Sequence, residues 1–166
     1  MRGWRRADGD YEIEGRLTDT KTRPIHPPGR ERPVPAGEPV HDMWVRMVVD
    51  EHLLVKDVVA ATDASPYPEC PGAAGALAAL RGARIASGWT ARVKALLGKH
   101  ACTHLVELML PMGTAAYQTL AEARMARGDA LDATGRPVRI DSCYAYASDS
   151  DMVRRRWPAF HRPPAG

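Results

Sequence analysis

The chain has 166 residues, enough for one domain with a proper buried core, and its 45% hydrophobic and 26% charged residues are ordinary for a soluble globular protein. A net charge of +3, carried largely by tracts at residues 2–6 (RGWRR) and 154–156 (RRR) with no aromatic-rich basic motif beside them, gives no reason to expect nucleic-acid binding. No apolar run follows the basic start and none approaches the ~20 residues that span a bilayer, so neither a secretory signal nor a membrane span is expected; the expected home is a reducing cytoplasm, with Cys70, Cys102 and Cys143 as free thiols or ligands.

Taken in chain order, DYEIEGRLTDTK (10–21) alternates apolar and polar residues and predicts a strand with a bulge near Gly15. Residues 22–39 carry six prolines and two glycines, a density no regular element survives, so this stretch is expected to be a long surface loop or a lid. HDMWVRMVVD (41–50) and LLVKDVVAATDA (53–64) are β-rich runs joined by a short turn, the best hairpin in the sequence.

Beyond SPYPECPG the pattern becomes helical. PGAAGALAALRGARI (71–85) is Ala-rich with Pro71 suited to a first helical position, and SGWTARVKALLGKHA (87–101) sets Trp89, Val93, Leu96 and Leu97 at helical spacing with Gly98 as a stop. CTHLVELMLPMGTAAYQTLAEARMA (102–126) aligns Leu105, Leu108, Met109, Met112, Ala116 and Leu120 on one stripe, with Pro111 expected to kink or split the helix. RPVRIDSCYAYASD reads as a short strand with Cys143 in the core, SDMVRRRWPAF as a last helical turn or two, and 159–166 as a flexible tail. Strands first and helices after predict a single α+β domain: a three-stranded antiparallel meander with three or more helices on one face.

Residues able to carry chemistry gather at the ends of these elements. Cys70 and Cys102 each stand at a predicted helix N-terminus, where unpaired N–H groups and the positive end of the dipole favour a thiolate; the alternative is that they fill helix entrances. His104 follows Cys102 by two residues, and Glu107 lies one turn on, near enough to orient the imidazole or simply to form an exposed pair with it. His100, just before, is either a further imidazole for the site or a charge partner of the preceding helix end. His41 and Asp42 open one strand of the hairpin and Asp63 closes the other, so all three are expected at one sheet end, near Cys70; Asp42 and Asp63 as strand-terminating Asx turns is the competing reading.

Two resemblances follow from these residues. The run GRLTDTK, PAGEPVHDMWVRMVVD, VVAATDASPYPECPGA, CTHLVELM, SCYAYASD and RRRWP resembles a bacterial family known only as a domain of unknown function. More distantly, VHDMWVRMVV, YPECPGAAGALAAL and KHACTHLVEL resemble, in order, the three ligand-bearing segments of the iron–sulfur scaffold fold of the IscU/NifU N-terminal type and its sulfur-acceptor cousin SufE. That resemblance implies Cys70, Cys102, His104 (or His100), His41 and Asp42 as ligands of zinc, iron or an iron–sulfur cluster. The family's first ligand cysteine is replaced here by Val40 or His41, and its adjacent His-Cys pair is spread over His100, Cys102 and His104.

Three functions are expected on this basis. The first is a metal- or metallocluster-binding protein. The second is an enzyme acting on a small acidic substrate, with Cys102 as nucleophile, His104 as base and Asp63 as a further catalytic candidate, or with a metal-bound water. Lys21 and Arg23 would then hold the substrate's carboxylate or phosphate. The third is a non-catalytic subunit that meets a protein partner or a second copy of itself. No nucleotide cofactor is indicated.

Overall fold

The computed structural model describes residues 1–163; the expected tail at 159–166 lies partly outside the described residues, and its described start, Pro158–Phe160, is a single 3-10 turn. The chain divides into two compact units, Met1–Ala121 and the residues from Glu122 onward.

The first unit is built on four antiparallel strands in sequence order: β1 (Arg2–Arg5), β2 (Tyr11–Thr20), β3 (Pro39–Val49) and β4 (Val55–Ala64). The meander is α+β as expected but has four strands, not three. β1 is the addition: the basic tract RGWR pairs Arg2 with Glu14 and Arg5 with Tyr11 across a tight turn. All four residues are exposed, so this strand carries no apolar alternation that could announce it.

Ile13, Met43, Val45, Met47 and Val49 alternate onto one sheet face and are fully buried there. No bulge occurs at Gly15, which pairs in step with Val45. Gly15 serves close packing instead: a Cβ there would come within 3.0 Å of Met112 Sδ from the helix above and 2.9 Å of Met1 Sδ. The bulges fall at the sheet's ends, leaving Val40 on β3 and Asp63 and Lys56 on β4 without direct partners.

Four of the helical segments complete this unit. Cys70–Leu80 is a 3-10 helix rather than an α-helix, and its buried Leu77 and Leu80 stand three residues apart, the spacing that eclipses side chains in that geometry. The helix α1 (Trp89–Leu97) buries Trp89, Val93 and Leu97 but leaves Leu96 exposed, and it stops at Gly98, whose φ is 50°. A 3-10 turn, Gly98–His100, leads to α2 (Thr103–Thr119), which buries the expected stripe and runs through Pro111 without splitting. Pro111 is exposed, so its ring and missing N–H face solvent rather than the core.

Helix α2 lies across β1, β2 and β3. Glycines permit its close seating: a Cβ on Gly3 would meet Thr119 Oγ1 at 2.0 Å, and one on Gly113 would sit 2.6 Å from the indole of Trp89. That indole donates its N–H to the Met109 carbonyl at 3.0 Å.

Residues 22–39 form an exposed loop, yet a closed one. Ile25 and Val34 exchange backbone hydrogen bonds of 3.1 and 2.8 Å, and Val34 is 3% exposed.

The second unit holds most of α3 (Ala121–Ala126) and α4 (Asp151–Arg156), the latter capped by Ser150 Oγ accepting from Val153 N–H at 3.2 Å. RPVRIDSCYAYASD is a series of turns with a 3-10 segment at Tyr144–Tyr146, not a strand, and Cys143 is exposed, not core. Asp141 holds this stretch in turns by accepting the Ser148 N–H at 2.8 Å and pairing with Arg136. The tract RRR is the last turn of α4, where cations suit the helix C-terminus.

Candidate functional site

In strands β2 and β3, Asp19 stands directly across from His41. The pair is joined on the helix-covered face, with Asp19 Oδ2 3.1 Å from His41 Nδ1. Lys21 Nζ pairs with the other oxygen, Oδ1, at 2.5 Å. These two partners, Lys21 first, hold the Asp19 carboxyl below the usual carboxylate range.

The N-terminus of α2 arrives over this corner. The His104 ring faces that of His41, with centroids 4.0 Å apart and planes at 38°. On its other side, His104 Nδ1 is 3.6 Å from Cys102 Sγ, Cys102 being the N-cap residue of α2. Partial burial lowers the His104 pKa, proximity to His41 lowers it further, and Asp19 pulls the other way. The imidazole beside the thiol is therefore neutral at pH 7, the form that accepts a proton or donates to a metal.

The result is a continuous line, Lys21–Asp19–His41–His104–Cys102, anchored in two strands and a helix start. It brings together four of the expected residues: Cys102, His104, His41 and Lys21. Asp42 lies elsewhere. As the strand neighbour of His41 it projects from the opposite, open face, where Arg16 grips both its oxygens at 2.8 and 2.6 Å and Thr18 Oγ1 donates at 3.4 Å. The Arg16 hydrogen bond outweighs the desolvation of this nearly buried carboxyl and lowers its pKa. Asp63 is also on the open face, exposed, lining with Glu14, Arg16 and Trp44 a polar depression of about 330 Å³.

Cys70 is half-buried at the start of its 3-10 helix, six residues past the end of β4, and its thiol has no hydrogen-bond partner among the described residues. Glu107 and His100 are exposed, and no hydrogen bond joins Glu107 to His104 among the described residues. Lys21 is spent on Asp19 rather than free for an anion. Asp19 is the member that sequence reasoning missed. The signal for it was register: with His41 at a strand start, the antiparallel partner near the end of β2 is Asp19.

Among the described residues no three His, Cys, Asp or Glu side chains already converge as a metal-holding group. The cavities lined by Trp89, by Arg16 and by Tyr67 do not include Cys102, His104 or His41. No helix among the described residues is long and apolar enough to cross a membrane.

A family model described as "Protein of unknown function (DUF2889)" matches residues 1–118, and the chain belongs to that family. The match ends three residues before the first compact unit does. No curated protein and no solved structure matches the chain.

Proposed function

We propose that this member of the DUF2889 family binds a transition-metal ion at the corner where α2 meets β2 and β3, with Cys102, His104 and His41 as ligands and Asp19 behind His41. One observation carries the reading. Two ligands of a tetrahedral zinc ion, a thiolate at about 2.3 Å and an imidazole at about 2.0 Å, are about 3.5 Å apart. Cys102 Sγ and His104 Nδ1 stand at 3.6 Å, with the His41 ring in contact behind them. The Asp19–His41 bond supports it further, since a carboxylate on one ring nitrogen fixes the tautomer and leaves the other nitrogen to bind.

Rotation of His41 about its side-chain bonds would bring in the third donor. Cys70, unpartnered and at the same end of the sheet, is the candidate for a fourth; with it the set would approach that of the iron–sulfur scaffold-like proteins, and a cluster in place of a single ion becomes the alternative occupant. Three free thiols suit a reducing, cytoplasmic setting.

A second reading is favoured by the same pair: Cys102 at a helix N-terminus beside a neutral His104 is also the arrangement of a thiol nucleophile and its base.

Elemental analysis of anaerobically purified, chelator-free protein, with an ultraviolet–visible spectrum, tests the first reading against the second. About one equivalent of zinc or iron, lost in Cys102→Ser, is expected. Metal-free protein with a single hyper-reactive thiol at Cys102 would replace the metal site by the nucleophile.

A further inference from the structure

A cavity of the first unit lies away from that corner, between the start of α1 and the second half of α2, and has a volume of about 810 Å³, within the ~300–1,000 Å³ of small-molecule sites. Its walls are chiefly apolar: Ile85, Trp89, Leu110 and Tyr117, with Gly88 and Gly113. The Trp89 ring is a fixed wall, since its N–H is tied to the Met109 carbonyl and its Cδ1 and Nε1 lie against Gly113 with no room for a methyl group. Lys94 is the one charged residue lining the cavity. It is exposed and has no ion-pair partner among the described residues, and α1 contains no acid.

We infer that this groove binds a planar aromatic carboxylate, its ring against Trp89 and its carboxylate paired with Lys94. The juxtaposition argues for that class. Two aromatic side chains and two glycines offer flat apolar surface. A single unpaired cation with no lining carboxylate favours an anion over a neutral or cationic guest. The hydroxyls of Ser87, Thr90 and Thr114, which also line the groove, add donors for the same carboxylate. None of these residues belongs to the Cys102 corner, so the inference stands apart from the metal reading.

The test is titration of the full-length protein with 2-naphthoate, followed by ¹H–¹⁵N NMR at the Trp89 indole and the Thr114 amide. The uncharged 2-naphthamide and a Lys94→Gln variant serve as comparisons, Lys94 being exposed and its loss harmless to folding. Saturable shifts confined to the groove are expected, with affinity about fivefold weaker for the amide and for the variant, the effect of one rim ion pair. No saturable shift, or binding indifferent to both the amide and Lys94→Gln, would overturn the inference. So would concentration-dependent self-association that itself shifts the Trp89 indole, which would make the groove a contact between copies of this chain.

Discussion

His41 and Asp42 are adjacent in sequence but work on opposite faces of one sheet. His41 meets Asp19 and His104 beneath α2, while Asp42 is clamped by Arg16 on the open side. Strand alternation divides the two and assigns them separate tasks, one at the candidate site and one in the sheet's stability.

That division, with the proposed metal site, predicts a pattern of responses to substitution. Cys102→Ser and His104→Gln should each abolish binding of about one equivalent of metal. Asp19→Asn should weaken affinity by roughly 10–100-fold, as for other carboxylates behind a ligating imidazole. Asp63→Asn, on the exposed open face, should leave the metal content unchanged. Metal content by mass spectrometry under a competing chelator checks all four.

The Asp42–Arg16 pair predicts a pH signature. The folded pKa of Asp42 lies below its unfolded value near 3.9, so its contribution is fully present above that value and is lost as the pH falls through the lowered pKa. Arg16→Met should lower Tm at pH 7 by about 4 °C. The gap between variant and wild type should narrow as the pH falls below the unfolded value of about 3.9 and on through the lowered folded pKa. Thermal melts at pH 7 and pH 3 decide this, and a pH-independent gap would mean that Arg16 acts through packing alone.

Gly113→Ala should be more damaging than Gly15→Ala, although alanine is the better helix former. At Gly113 the new methyl meets a hydrogen-bonded indole at 2.6 Å; at Gly15 it meets the flexible ends of Met1 and Met112. Overpacking against the rigid ring should cost about 1–3 kcal/mol net and shift the Trp89 indole resonance. Chemical denaturation together with that resonance separates the two substitutions.

Pro111→Ala should stabilise the fold. The proline is exposed in the middle of an unbroken helix, and alanine there restores an N–H to the ladder and has the higher helix propensity. A gain of about 1–3 kcal/mol in urea unfolding is expected.

The residues explain what could be read in advance. β2, β3 and β4 were legible because one buried face imposes alternation, and the α2 stripe because six buried positions keep helical spacing. β1 was not, since a four-residue edge strand exposed along its length has no pattern to show. The 3-10 geometry of Cys70–Leu80 was hidden in a run of small residues that suits either helix. Pro111 lies off the apolar stripe, on the solvent side, where the helix runs through a proline without splitting. At the site, Cys102, His104 and His41 were found by residue type, while Asp19 and Asp42 depended on strand parity and pairing, which only a settled register supplies.

Helix α2, about 25 Å long at 1.5 Å per residue, is keyed to the sheet at three heights: His104 against His41, Met112 over Gly15, and Thr119 against Gly3. One inserted or deleted residue between any two of these keys would turn the remainder by about 100° and unseat it. Kindred chains should therefore differ in length at the 22–39 loop and after Ala121, and hold the count from Cys102 to Thr119 fixed.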